Sequence, residues 1–182
     1  VEMSVVEREV YWKKAREKTL GFVYFIQTQL GFKNLGLADD EFNGTGLAFL
    51  PYHREGRRIR GIVRVNVNHL IAPFDQPDAL YRTGISVGDY PVDHHHAPEK
   101  KAPDIDFPAV PSFNLPLGAL IPEKIKGLLV AEKGISVSNI VNGSSRLQPI
   151  VMLTGQAAGA LAAVSIKHHI QPRKVNIREV QT

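Results

Sequence analysis

The sequence predicts an α/β chain of α+β type, with a helix first, a basic-faced strand region in the middle and a strand, a turn and a helix at the end. Apolar residues recur at helical spacing between residues 3 and 30. Apolar and polar residues alternate between residues 58 and 68, and a proline followed by about five turns of good helix formers occupies residues 149–169. With 182 residues and 43% hydrophobic composition, the chain is long enough to bury one core.

Three segments follow from this pattern. Residues 1–34 form a helical segment, residues 35–122 contain the predicted strand and a proline-rich connector, and residues 123–182 form a C-terminal strand and helix. Because the chain begins with Val1 rather than methionine, we expect a processed chain or a fragment.

Charge and composition narrow the classes of ligand and partner that the chain is expected to bind. The net charge of +4 permits an anionic ligand such as a phosphate, a nucleotide or an acidic sugar, but the charge is spread out and does not predict nucleic-acid binding. The absence of cysteine excludes a disulfide scaffold and a thiolate metal site. We find no apolar run near the roughly 20 residues of a membrane span and no signal peptide, so no membrane partner is expected. Cytoplasm and periplasm both remain open as locations.

The first predicted helix runs from Met3 to Leu30, with Gly31 as its C-cap and Gly21 as a point where it could divide. Its basic face is expected to be solvated. Its aromatic residues are expected to pack in a core rather than to form a ligand wall.

The predicted strand carries arginines on one face, namely Arg58, Arg60 and Arg64. Such a face can bind a carboxylate or a phosphate bidentately, or it can pair with acids on a neighbouring strand. Pairing is the favoured interpretation for Arg60 and Arg64.

Three adjacent histidines, His94 to His96, suggest either a metal site or a proton-transfer residue. In an extended segment, residues 94 and 96 point the same way and could share a cation with a nearby aspartate. Adjacent histidines in a loop rich in proline and aspartate are more often hydrated, so no metal is expected.

The C-terminal region begins with a proline-rich connector over residues 97–122 and a short apolar run over residues 127–131, which we interpret as a buried strand. A polar turn over residues 143–148 then leads into the final helix, where Pro149 suits the first turn. Glycine inside a helix costs roughly 1 kcal/mol against alanine, so Gly155 and Gly159 predict close approach to a sheet or a ligand. The N-terminus of this helix would attract phosphate, carboxylate or a polarised carbonyl. The alternative is an ordinary buried helix with a solvated cap.

Three blocks of the sequence resemble bacterial FAD-dependent oxidoreductases, some of which carry a xanthan-lyase-like label. Residues 113–163, ending in Ser-Arg-Leu-Gln-Pro-Ile-Val-Met-Leu-Thr-Gly-Gln-Ala-Ala-Gly before the last alanines, resemble the C-terminal end of that family. Residues 54–61 are similar to its Arg-Glu-x-Arg-Arg-Ile-x-Gly segment, and residues 90–95 to its Tyr-x-Ile-Asp-x-His. The chain departs from the family at Gly56, where serine or threonine is usual, and at Glu132 and Lys133, which replace Gly-Arg.

The resemblance implies the C-terminal part of a Rossmann-type FAD-binding protein, in which residues 35–122 form part of the substrate domain and residues 123–182 form the C-terminal strand and helix of the FAD-binding domain. By the family match, flavin contacts would come from Ser144, Arg146, Gln148, Ile150 and Gly155, and the residues facing substrate would be Arg57, Arg58 and His95, with Asp93 orienting the imidazole. The substrate would be a small or sugar-like molecule. The sequence has no Gly-x-Gly-x-x-Gly fingerprint, so the chain alone is not expected to hold FAD and would need a missing N-terminal FAD-binding half.

Two alternatives stay open at this stage, as does a homo-oligomer. One is a polysaccharide lyase of the xanthan type acting by β-elimination, with Tyr90, His95, Arg57 and Arg58 in the site. The other is a non-catalytic structural or interaction module.

Overall fold

The computed structural model describes residues 3–95 and 106–182. The chain divides into two compact units, one ending at His53 and the other running from Arg54 to Thr182. The described residues combine helices with a small two-stranded antiparallel sheet, which is consistent with the α/β class.

Helix α1 (Val5–Thr28) is the main element of the first unit and confirms the predicted N-terminal helix. Ser4 caps it: the Ser4 hydroxyl accepts from the Glu7 N–H at 3.3 Å, and the Glu7 carboxylate accepts from the Ser4 N–H at 2.7 Å. The Glu7 carboxylate also accepts from the Ser4 hydroxyl at 2.8 Å, and the hydrogen bonds that it accepts from the Ser4 N–H and hydroxyl lower the pKa of Glu7. Gly21 does not interrupt the helix, and Gly31 adopts φ 77° just beyond its end.

A loop returns along α1 in the same unit. The Gln27 side-chain amide donates to the Leu35 carbonyl at 2.6 Å, and the Arg16 guanidinium donates to the Phe49 carbonyl at 3.3 Å. None of the described residues from 3 to 53 is fully buried. The expectation that the aromatic residues of this helix form a core is therefore wrong for this unit as it stands, since Phe22, Tyr24 and Phe25 are exposed.

The second unit contains a short antiparallel pair of strands. After helix α2 (Asn68–Ile71), strand β1 (Gly84–Gly88) pairs antiparallel with strand β2 (Phe113–Pro116), with Val87 opposite Asn114 and an irregularity next to Gly84. Helix α3 (Asn139–Ser145), helix α4 (Gln148–Lys167) and the short helix α5 (Ile177–Gln181) complete the unit.

The core lies between this sheet and α4. Its buried apolar residues come from six parts of the chain, including Val65, Leu70, Leu115, Leu120, Val137, Val141, Ile150 and Leu161. The second half of the predicted proline-rich connector therefore differs from expectation: β2 and the one-turn 3-10 helix Leu117–Leu120 are among the most buried segments rather than a surface wrap. Prolines exclude a long helix, but they leave apolar residues between them free to enter a core.

The predicted basic-faced strand over residues 58–68 does not form a regular strand, because it bends at residues 62–63 and Asn68 already belongs to α2. It makes isolated bridges at Gly61, to Pro122, and at Val65, to Val137. The predicted buried strand over residues 127–131 is likewise not a strand, although the Val130 N–H donates to the Leu120 carbonyl at 2.9 Å. Alternation alone does not make a strand, because a strand also needs continuous partners on a neighbouring segment.

Helix α4 begins as predicted, with Pro149 in its first turn. No other part of the described chain approaches Gly155 or Gly159 closely, because a Cβ built at either position meets no atom within 4 Å; approach of a ligand to these glycines stays a prediction. By length and composition alone α4 could also cross a membrane, which the sequence did not suggest; a core helix of a soluble protein meets the same criterion.

Candidate functional site

Helix α3 gathers the residues predicted to carry function. The segment predicted as a polar turn is its last turn, since Ser144 and Ser145 belong to the helix. The helix is capped by the Ser138 hydroxyl, which accepts from the Val141 N–H at 3.2 Å. A Cβ at Gly143 would lie 2.6 Å from the backbone oxygen of Asp93, so glycine lets the backbone of Asp93 lie directly against the helix.

The Asp93 carboxylate is shared between two partners. Its Oδ1 accepts from His95 Nε2 at 2.6 Å, and its Oδ2 accepts from the Arg146 guanidinium. The Arg146 side chain is only 7% exposed, whereas that of Asp93 is 31% exposed. Asp93 therefore orients the His95 ring, as the family resemblance implied, and Arg146 in turn orients Asp93.

The segment that precedes Arg57 and Arg58 also reaches α3. The Asn142 side-chain amide donates to the Arg54 carbonyl at 3.2 Å, and the Asn139 amide donates to the Glu55 carboxylate. Glu55 lies 3.7 Å from Arg58. One short helix thus contacts both of the upstream blocks singled out in the sequence.

Arg57, Arg58 and Arg64 line an open cleft of about 420 Å³ together with Gly56, Ile59 and Val137. Arg60 points elsewhere and pairs with Glu123 at 2.8 Å. The sequence predicted that Arg60 and Arg64 would each pair with an acidic residue. Of these two arginines, only Arg60 forms an ion pair among the described residues. Arg58 and Arg64 share the cleft and Arg60 does not, so the three arginines do not form the single face that the sequence predicted.

Two polar atoms on α3 are buried without a hydrogen-bond partner in the described part of the chain, the Ser144 hydroxyl and the Asn142 side-chain carbonyl. Ser144 is 0% exposed. An unsatisfied buried polar group costs about 1–3 kcal/mol, so such atoms mark positions where a ligand, a partner or water completes the structure.

The other predicted flavin contacts lie at different depths along α4. Gln148 is exposed at the start of the helix, Ile150 is buried in the core with its carbonyl accepting from the Ser86 hydroxyl at 3.3 Å, and Gly155 is exposed. The structure brings Ser144, Arg146 and Gln148 to the junction of α3 and α4, while Gly155 lies two turns further along the helix.

Glu132 adopts φ 61°, a left-handed conformation that glycine reaches without strain. Its N–H donates to the hydroxyl of the buried Thr154 at 3.3 Å, and its carboxylate lies 3.2 Å from Lys133. The family's usual glycine at this position therefore has a conformational reason, and the glutamate retains the backbone geometry.

Sequence reasoning missed Asn139, Asn142 and Thr154, which hold these segments together. Their signal is weak because asparagine and threonine near helix ends are common caps. Among the described residues, no group of three or more histidines and acids could hold a metal ion, and His96 lies outside those residues.

The chain belongs to the FAD dependent oxidoreductase family, whose family model matches residues 2–182. This confirms the family resemblance seen in the three blocks and supports a flavin oxidoreductase function. Neither a curated protein nor a solved structure shows significant similarity to the chain.

Proposed function

Starting from membership of the FAD dependent oxidoreductase family, we propose that this chain is the C-terminal part of a Rossmann-type flavoenzyme that oxidises or reduces a small or sugar-like substrate. The observation that carries the proposal is the convergence on α3 of the segments that contain Arg58, His95 and Arg146. The junction of α3 and α4 would hold the flavin ring, and the arginine cleft would hold the substrate.

The residues at this junction fit a polar ring edge that carries both carbonyl and N–H groups. The Ser144 hydroxyl can donate or accept and the Asn142 carbonyl can accept, and both are buried without a partner among the described residues. Arg146 and the N-terminus of α4 stabilise negative charge nearby. Bound FAD would supply the hydride chemistry, while these residues bind and orient.

The exposed face of α4 supports a missing N-terminal FAD-binding half as partner. Met152 and Ile166 are 74% and 73% exposed, and Gly155 and Gly159 have open space beside them. Glycines in a helix allow close backbone packing, and a Rossmann-type half would cover this face. The ADP portion of FAD would be held there, since this chain lacks the glycine fingerprint for it.

The residues that face the substrate would bind it through their positive charge and would accept a proton from it. An anionic group of the substrate would bind to Arg57 and Arg58 through charge-assisted hydrogen bonds. His95 donates from Nε2 to Asp93, which leaves its Nδ1 as the proton acceptor for a substrate hydroxyl. His95 Nδ1 would accept the proton of the substrate hydroxyl, and bound flavin would supply the acceptor for the two electrons of the oxidation.

The variant Ser144→Ala distinguishes a role of the Ser144 hydroxyl in flavin binding from a role in folding. Because the hydroxyl has no partner among the described residues, its removal should leave the free energy of unfolding unchanged or raise it. If the hydroxyl contacts the flavin, FAD affinity should fall about five- to tenfold, on the scale of one hydrogen bond. The measurement is an absorbance titration with FAD through the visible flavin bands, on this chain alone and together with an N-terminal FAD-binding half.

The matched control for that titration is Ser4→Ala, which removes a hydroxyl in the first unit. Equal FAD affinity in Ser144→Ala and the parent would contradict the placement of flavin at α3. FAD binding to this chain alone would contradict the need for an N-terminal half, but not the site.

Arg58→Gln should lower kcat/KM for an anionic sugar about 10- to 100-fold, because a charge-assisted hydrogen bond contributes about 1.5–3 kcal/mol. Anaerobic flavin reduction by glucuronate and by glucose provides the comparison, since the two sugars differ in the carboxylate. Arg60→Gln, which removes an arginine paired with Glu123 outside the cleft, is the control.

An equal loss with both sugars would mean that Arg58 does not bind the substrate anion. A rise in ultraviolet absorbance from an unsaturated product, without flavin reduction, would instead favour the polysaccharide lyase. The non-catalytic module would be favoured if the chain, combined with an N-terminal FAD-binding half, neither binds FAD nor turns over glucuronate or glucose.

A further inference from the structure

A second cleft, separate from the residues assigned to flavin and substrate, lies between β1, α4 and α5. Its volume is about 730 Å³. Its polar lining includes Arg82, Arg178, Asn114, Gln156 and Gln181, and its apolar lining includes Ile85, Leu153 and Val180. The family resemblance gave these residues no role.

The two arginines of this cleft are linked by one side chain. The Gln181 amide donates to the Arg82 carbonyl at 3.3 Å and to the Gly84 carbonyl at 2.8 Å, and its oxygen accepts from the Arg178 guanidinium at 2.8 Å. Gln181 therefore anchors α5 against the start of β1. It brings the two arginine-bearing segments to one cleft.

The two arginines of the cleft have no ion-pair partner among the described residues, although the lining also includes the acidic residue Glu179. Neither Arg82 nor Arg178 has a carboxylate within ion-pair distance there, while the Glu179 carboxylate already accepts from His168 Nε2 at 2.7 Å. Arg82 also donates to the Tyr81 hydroxyl at 3.5 Å, a bond that raises the pKa of the guanidinium and keeps it charged.

We propose that this cleft binds a small organic anion, with a carboxylate or phosphate on Arg82 and Arg178 and an apolar body against Leu153 and Val180. Guanidinium groups match both anions in geometry. The amides of Asn114 and Gln156 supply further polar partners, and apolar walls with a few converging polar groups are typical of ligand clefts.

Titrations with phenyl phosphate, benzoate and inorganic phosphate, followed by amide chemical shifts in the full chain, test this site. We expect shifts at residues 81–88 and 177–181 with at least one aromatic anion, and weaker binding of inorganic phosphate, which lacks the apolar body. Whichever of phenyl phosphate and benzoate binds more tightly identifies the anionic group that the cleft prefers.

Arg82→Gln and Arg178→Gln should each weaken that binding about tenfold or more, the scale of a lost charge-assisted hydrogen bond. Arg8→Gln makes the same charge change on α1 and should leave the affinity unchanged. Arg178→Lys keeps the charge but loses the planar fork, so its affinity should be intermediate. Circular dichroism checks that each variant is folded.

The proposal is overturned if neither aromatic anion shifts these residues, or if Arg8→Gln weakens binding as much as the cleft variants. Inorganic phosphate binding as tightly as phenyl phosphate would overturn the role of the apolar wall. These results do not depend on the flavin site, because the titrations need neither FAD nor turnover.

Discussion

Gly143→Ala is expected to destabilise the second unit by about 2 kcal/mol, on the scale of overpacking in a close-packed interior. The added Cβ would lie 2.6 Å from the backbone oxygen and 3.0 Å from the carbonyl carbon of Asp93, and backbone atoms cannot move aside cheaply. Alanine is the better helix former by about 1 kcal/mol, so a net loss of stability would isolate the steric clash. Hydrogen exchange of α4 amides measures this unit separately from α1.

Gly159→Ala is the matched control for this prediction. It makes the same change in a helix, but its Cβ meets no atom within 4 Å, so it should stabilise the second unit by up to about 1 kcal/mol. If Gly143→Ala proved as stable as Gly159→Ala, the backbone of Asp93 would not lie against α3 as described.

Asp93→Ala is expected to destabilise the second unit by about 2 kcal/mol. Breaking a fully buried ion pair costs about 3–5 kcal/mol, and we reduce that value because Asp93 is 31% exposed while Arg146 is 7% exposed. The variant leaves a largely buried guanidinium without its carboxylate, so the cost comes mainly from Arg146.

A double-mutant cycle with Arg146→Ala measures this coupling. The double variant should be less destabilised than the sum of the two single variants, by about 1–2 kcal/mol, because the charge left unsatisfied in Asp93→Ala is absent from it. Strictly additive effects would contradict the shared carboxylate. Asp93→Ala should also free the His95 ring from its contact with the carboxylate. Nitrogen NMR of the ring would detect this as a changed balance of tautomers.

Local patterns predicted the two long helices well. The spacing of apolar residues gave α1, and Pro149 followed by small residues gave the start of α4, because periodicity and first-turn chemistry depend on residues within one or two helical turns. The same patterns overestimated strands. Residues 58–68 alternate like a strand, but the pairing partners that would complete a sheet are not specified by alternation.

The candidate site was only partly predictable. The family resemblance pointed to Arg57, Arg58 and His95 with Asp93 as the partner of His95, but no local pattern indicated that Asp93 would also pair with Arg146. The functional roles of these residues, and of Ser144, Gln148, Ile150 and Gly155, remain predictions. The contacts of Asn139 and Asn142 with the segment before Arg57 span more than 80 residues of sequence.

The sequence by itself determined the family, the order of its three blocks and the two long helices, because these follow from short-range residue patterns. Only the tertiary structure decided that residues 143–145 belong to helix α3, that Gly143 lets the backbone of Asp93 lie against this helix, and that Ser144 is buried there. The reason is that such contacts join segments far apart in the chain. Their geometry depends on how the whole second unit packs, which no local pattern encodes.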